Sequence, residues 1–290
     1  MAELLYYECY LSAKKLVIIP IYENISRNYN RDDYNARIAY FGLKRNNNTL
    51  STNSIRKLIY ALNTLKDLST TQTAYNFQTG KQFNFLLNFI TLTLPAINKQ
   101  YSDLWIKRHI LNNFLNKVKY KYNLSHYVWK AEAQGNGNLH FHITTNTYIH
   151  FADLNRIWNN CLEHTDLIDH YKKKFNNRNP NTTDIHSIKQ INSIHQEFIK
   201  YISKNETDRR KISGKLWDCS KSLNFSNRLH FALSPELFDS YEYIQKKFKD
   251  QLFSTDYFDC YSFRDNYTFR KLPKKFIEKY DQHLQYINTI

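Results

Sequence analysis

The stretch 130–145, KAEAQGNGNLHFHITT, decides how this chain is read. A chain with only 5 glycines puts two of them, Gly135 and Gly137, in one short turn between two β-rich runs, YVWKAEA and LHFHITTNTYI. Side chains alternate faces along a strand, so His140 and His142 point one way and Phe141 the other. A two-residue Asn-Gly turn would set Glu132 opposite Phe141, on the wrong face. A three-residue loop of Gly135, Asn136 and Gly137 instead pairs Gln134 with Asn138, and so Glu132 with His140. That loop needs a left-handed third residue, which Gly137 supplies. The three-residue loop is the register expected if Glu132 acts with the histidines. A His-x-His pair is by itself more often a polar strand face. Two imidazoles led in by a carboxylate, with positions left open, suit a catalytic divalent ion, Mg²⁺, Mn²⁺ or Zn²⁺, better than a closed structural site.

Outward from this hairpin, STNSIRKLIYALNTLKDLS spaces Ile55, Leu58, Ile59, Leu62 and Leu65 as one face of a helix, with a Ser/Thr/Asn cluster at its N-cap. TAYNFQTGKQFNFLLNFITLTLP reads as two strands around a Thr-Gly turn, ended by Pro95. In the second strand Ile90, Leu92 and Leu94 share one face and Thr91 and Thr93 the other. SDLWIKRHILNNFLNKVKYKY is a helix capped by Ser102, with Leu104, Ile106, His109, Ile110, Phe114 and Val118 as its stripe. FADLNRIWNNCLEH is another helix, YKKKFNNRNPNTTD a basic, Asn-rich loop, and SIKQINSIHQEFIKYISKNE a helix with Ile188, Ile191, Ile194, Phe198 and Ile202 inward. Residues 1–50 form a small strand-and-loop region, and 207–290 are basic and aromatic with a weaker pattern. Helices that follow groups of strands, rather than alternating with each one, predict an α+β fold: a central antiparallel sheet with helices on one face.

Composition bounds the partners. Lys plus Arg exceed Asp plus Glu by 41 to 26 over 290 residues, a net charge of +15 that favours a polyanion, nucleic acid first. No apolar run reaches the roughly 18 residues of a spanning helix, and the N-terminal stretch lacks signal-peptide order, so no membrane partner and a cytoplasmic location are expected. Cys9, Cys161, Cys219 and Cys260 form no CxxC pair and read as free thiols. The 23 Tyr and 19 Phe fit stacking platforms for unpaired bases, but also the coding bias that accompanies abundant Asn, Lys and Ile. No GxxxxGK[ST] occurs, so ATP hydrolysis is not expected.

Strand cleavage needs an attacker, and EFIKYISKNE offers Tyr201. With Phe198 and Ile202 inward, Tyr201 sits about 60° off that stripe and Lys204 about 60° further. A phenol with a pKa near 10 gains from a cation one turn away that stabilises the developing phenolate. Taken alone, a Tyr-x-x-Lys is more often an amphipathic boundary residue beside a solvated lysine.

Three motifs stand in order: FITLTLP (89–95), NLHFHI (138–143) and YISK (201–204). Together with YVWKAEAQGNGNLHFHI, PNTTDIHSIK and GKLWDCSKSL, they resemble the HUH endonuclease superfamily. The likeness is to rolling-circle replication initiators of small bacterial plasmids and single-stranded DNA phages, and covers roughly residues 85–225. The resemblance implies His140, His142 and Glu132 as ligands of Mg²⁺ or Mn²⁺. It implies Tyr201 as the nucleophile that takes the 5′ phosphate and leaves a 3′-OH primer, with Lys204 assisting. Related proteins can carry two tyrosines on this helix; here Phe198 occupies the position one turn earlier. The implied partners are single-stranded or hairpin origin DNA, a host helicase and a DNA polymerase, in a bacterial cytoplasm. A single-tyrosine transposase or mobilisation relaxase would share the chemistry, and a non-catalytic RRM-like nucleic-acid-binding protein is the alternative of another class. The domains expected are an N-terminal strand/helix region (1–80), the endonuclease domain (81–230) and a basic aromatic C-terminal region (231–290). Lys172, Lys173, Lys174 and Arg178 before the Tyr201 helix, and Arg209, Arg210, Lys211 and Lys215 after it, are expected to contact DNA phosphates.

Overall fold

The computed structural model describes residues 4–12, 14–22, 50–76, 79–95, 100–163, 165–176, 179–188, 210–234, 237–255, 258–263 and 265–290. Its contacts divide the chain into two compact units, Tyr40–Leu223 and Met1–Ala39 with Asn224–Ile290. The N- and C-terminal regions that the sequence partition kept apart thus share one unit.

In the larger unit, helix α1 (Thr52–Asp67) begins at Ser51, whose hydroxyl accepts from the backbone N–H of Ser54. The run expected to give two strands gives three. Strands β3 (Gln72–Asn76) and β4 (Lys81–Phe85) close a separate hairpin, and the chain breaks at Leu86 before β5 (Leu87–Thr93). With β6 (Tyr127–Ala133), β7 (Leu139–Thr145), β8 (Thr183–Ile188) and β9 (Trp217–Cys219), β5 forms a five-stranded sheet in the order β8-β5-β7-β6-β9. Every pairing in it is antiparallel. The α+β fold with antiparallel sheets is therefore present. The histidine strand β7 is central, hydrogen-bonded on both sides, which fixes where its side chains stand.

The apolar face of this sheet, with Ile90, Leu92, Ala131, Phe141 and Ile143, packs on helix α2 (103–122) and helix α3 (Phe151–Leu162). Trp158 of α3 is fully buried, meets Phe114 and Phe141 edge-on, and donates its indole N–H to the Thr93 carbonyl at 2.9 Å. One expected stripe is corrected. Leu104 and His109 are exposed, while Ile106, Lys107, Ile110, Leu111, Phe114, Leu115 and Val118 are buried. The cause is a π-helical stretch, Ile106–Leu111. Its wider turn brings residues four apart onto one line, so the inward face no longer follows a 3.6 period.

Helices do not keep to one face. Leu58, Ala61, Leu62 and Leu65 of α1 cluster with Phe89 and Val128, which alternation puts on the side opposite Phe141. Trp217 adds an indole N–H bond of 2.7 Å to the Ser54 hydroxyl. A second correction concerns the lysine-rich stretch. Lys172, Lys173 and Lys174 lie not in a loop but in the last turn of helix α4 (Asp166–Phe175). Leu167, Ile168 and Tyr171 give that segment an inward stripe, and cations suit a helix C-terminus.

In the smaller unit, β1 (Leu4–Ser12), β2 (Lys15–Tyr22), β10 (Leu229–Ala232), β11 (Leu252–Thr255) and β12 (Phe258–Ser262) form a sheet in the order β10-β1-β2-β12-β11. Helices α5 (Phe238–Lys247) and α6 (Lys274–Ile287) contribute to a core of Cys9, Leu16, Ile18, Ile244, Tyr261 and Phe276. Among the described residues no helix is long and apolar enough to cross a membrane.

Candidate active site

The β6–β7 turn has the register that the sequence required for Glu132. The Gln134 N–H donates to the Asn138 carbonyl at 2.9 Å, the Gly137 N–H to the Gln134 carbonyl at 2.9 Å, and Glu132 stands opposite His140. Gly137 holds φ at +84°, in the left-handed region, whereas Gly135 does not, and nothing lies within 4 Å of a Cβ added there. Gly137→Ala is therefore expected to cost about 1 kcal/mol in urea denaturation, and Gly135→Ala to be neutral or slightly stabilising.

Pairing lines up three rows on the polar face. One reads Thr93, His140, Glu132; the next Asp184, Thr91, His142, Lys130, Trp217; the third His186, Phe89, Thr144, Val128, Cys219. Helix α1 covers the third row through Phe89 and Val128 and leaves the first two less covered. The His142 ring stacks on Phe89, centroids 5.2 Å apart, and lies 4.5 Å from the His140 ring.

Each imidazole is held through Nδ1: the Thr91 hydroxyl is 3.3 Å from that atom of His142, and the Thr93 hydroxyl 3.2 Å from that of His140. The Gln134 side-chain amide stands 2.8 Å from the same His140 atom. Turned about its terminal torsion, this amide accepts from Nδ1–H, and Nε2 then carries the lone pair. The Glu132 carboxylate divides its oxygens: Oε1 accepts from the Lys130 ammonium at 3.0 Å, and Oε2 lies 3.4 Å from His142 Nε2. Burial alone would push the Glu132 carboxyl up. The His142 contact and the Lys130 charge outweigh it and bring the value down to about 2.

This donor set has the right chemistry for a divalent ion. Two ligands of one ion, each at about 2.0–2.2 Å, stand roughly 3 Å apart, so Glu132 Oε2 and His142 Nε2 are spaced nearly as neighbours around one centre. His140 stands beside them. Among the described residues, no group of three or more His, Cys, Asp or Glu is gathered as a formed metal site.

Four side chains here were not singled out as site residues from the sequence. Lys130 and Gln134 share Glu132's face by simple alternation, and Thr91 and Thr93 were seen to share a face without being linked to the histidines. The remaining expected residues fall as follows. Tyr201, Lys204, Arg178 and Arg209 lie outside the described residues. Lys173, Lys174 and Lys211 are exposed and Lys172 half-buried; Lys215 is exposed and pairs with Asp218 at 2.8 Å. Arg210 is engaged within the fold. Its guanidinium grips Asp103 through both terminal nitrogens, at 2.7 and 2.8 Å, and its Nε–H donates to the Gly137 carbonyl.

The molecule is thus an α+β protein whose central antiparallel sheet carries a His/Glu ladder on its polar face. Residues 88–206 match a family model for replication-associated proteins of the ORF2 type, a stretch that holds all three sequence motifs. The match bears out the resemblance to rolling-circle replication initiators of single-stranded DNA plasmids and phages, and supports a part in DNA replication. No curated protein and no solved structure matches the chain.

Proposed function

We propose that this protein nicks and rejoins single-stranded origin DNA through a phosphotyrosine intermediate. The observation that carries the reading is the cross-strand pair of Glu132 and His140, with His142 alongside and a threonine hydroxyl at each Nδ1. Support also comes from the family match, which includes Tyr201 and Lys204.

In this reading Glu132, His140 and His142 would hold Mg²⁺ or Mn²⁺, which when bound supplies Lewis-acid polarisation of a phosphoryl oxygen. The Tyr201 hydroxyl attacks phosphorus in line, losing its proton to solvent, and a P–O(Tyr) bond forms. The P–O3′ bond breaks, and the leaving 3′ oxygen takes up a proton to become the primer hydroxyl. Lys204 stabilises the phenolate as it develops. Attack by a 3′-OH reverses these bonds and closes the strand. Lys130 occupies one Glu132 oxygen, so the carboxylate can offer only the other to a cation. Origin DNA would be the substrate. A host helicase and polymerase would complete replication, since the chain has no nucleotide-cradling motif.

The test is incubation with labelled single-stranded fragments of the replicon that encodes the protein, with Mn²⁺ or Mg²⁺, followed by denaturing electrophoresis. A label that stays with the protein supports the reading. If no fragment gives a linked product with either ion, strand transfer is excluded and a binding protein remains. Thr91→Val and Thr93→Val, which remove the groups that orient the imidazoles, are expected to weaken Mn²⁺ binding about 10- to 100-fold in titration calorimetry.

A further inference from the structure

A cleft of about 460 Å³ opens at the hairpin end of the sheet, between α4, the β6–β7 turn and the stretch after β5. Its wall begins one residue past Thr93, at Leu94, and includes Asn138, two residues before His140. By strand rise Asn138 is about 7 Å from His140 along the chain. A nucleotide next to a phosphate held by the histidines would therefore reach it. Its volume lies in the range of small-ligand sites, about 300–1,000 Å³.

The lining is that of a base site rather than a bare anion site. Tyr171 and Phe175, one turn apart on α4, have ring centroids 4.7 Å apart, and Phe175 is left 55% exposed. An aromatic ring that the fold leaves in water is a ready stacking platform. The Lys174 ammonium stands 5.2 Å over the Phe175 ring, where it can meet the phosphate of a nucleotide stacked there. The interior also carries the Asp166 carboxylate and the Asn136 and Asn138 amides. A carboxylate repels phosphate but accepts hydrogen bonds from an exocyclic amine, as acidic side chains do from cytosine.

We propose that this cleft binds one unpaired, amine-bearing nucleobase (cytosine, adenine or guanine) of the strand being cut, stacked on Phe175 and Tyr171 with its amine toward Asp166. The proposal rests on the strand-transfer reading for its occupant.

The test measures binding alone, without added metal, by fluorescence anisotropy on the full-length protein. The probes are single-stranded dC, dA and dT homopolymers and an abasic deoxyribose-phosphate oligomer, all of one length. Wild type is expected to bind dC and dA more tightly than dT, and dT more tightly than the abasic strand. Phe175→Ala, at an exposed position, is expected to weaken dC and dA about 10-fold and leave the abasic strand unchanged. Asp166→Asn is expected to erase the preference for dC and dA over dT. Wild-type discrimination retained in both variants, or none in wild type, overturns the proposal. If discrimination is present and lost in the variants while no DNA becomes protein-linked, the cleft stands and the strand-transfer reading fails. If adducts form but the variants discriminate as wild type does, the opposite holds.

Discussion

With Tyr201→Phe, the covalent protein–DNA product is expected to disappear while single-stranded DNA is still bound within about 2-fold. The substitution removes one oxygen and keeps the ring, so folding and phosphate contacts have little reason to change. The lost atom is the nucleophile itself, and loss of such a group costs on the order of a thousandfold or more in rate. Lys204→Ala is the informative companion. If Lys204 stabilises the phenolate, its loss slows adduct formation without abolishing it and moves the pH optimum upward, toward the ordinary phenol value near 10. Gel-resolved adduct formation across pH, beside anisotropy for binding, reads both effects. An adduct that persists in Tyr201→Phe would assign the nucleophile to another of the 23 tyrosines.

What the sequence made legible was local. The hairpin register followed from counting residues around Gly137, and the match of Glu132 to His140 came with it. The two-faced character of β5 and β7 followed from alternation alone. Three features were out of reach for physical reasons. The second sheet pairs Cys9 with Phe231 and Ile18 with Asp259, and no local pattern encodes partners so far apart. The π-helical stretch in α2 shifts the inward face by less than one residue, which a 3.6-residue template cannot register. The seat of α1 on the histidine-bearing face depends on Phe89 and Val128, two apolar residues in otherwise polar rows. Lys130 belongs to a different case. Its place beside Glu132 follows from alternation in KAEA, and only the habit of seeking histidine partners among acids hid it.

The charge cluster under the hairpin bears on stability rather than chemistry, and here the largest loss is expected from Asp103→Ala. The Asp103 carboxylate, 7% exposed, accepts from Arg210 and from the Ser213 N–H at 2.9 Å. Lys107, 8% exposed, donates to the Ser213 carbonyl at 2.7 Å. Burial alone would raise the Asp103 carboxyl, but the bonds from Arg210 and Ser213 hold it below its ordinary value. Removing it leaves two cations facing each other without the anion between them. Breaking a buried pair from one side costs about 3–5 kcal/mol, and about 3 is expected because Arg210 remains 38% exposed on its side chain. Urea denaturation at neutral pH measures it; a loss below about 1 kcal/mol would mean the cluster adds little. The pH dependence has an opposite sign for the two groups. Asp103, with its folded value depressed, contributes stability above the carboxylate range and loses it as pH falls through that value. Burial brings Lys107 down from 10.5 to about 8, with Arg210 adding to the fall and Asp103 opposing it. Between about pH 8 and 10.5 the unfolded chain holds a proton at Lys107 that the folded chain does not, so this group's contribution rises with pH. The stability of wild type relative to Lys107→Met should therefore climb through that window and stay level below it. A level difference across the whole range would show that the Lys107 amine keeps its proton in the fold as readily as in water.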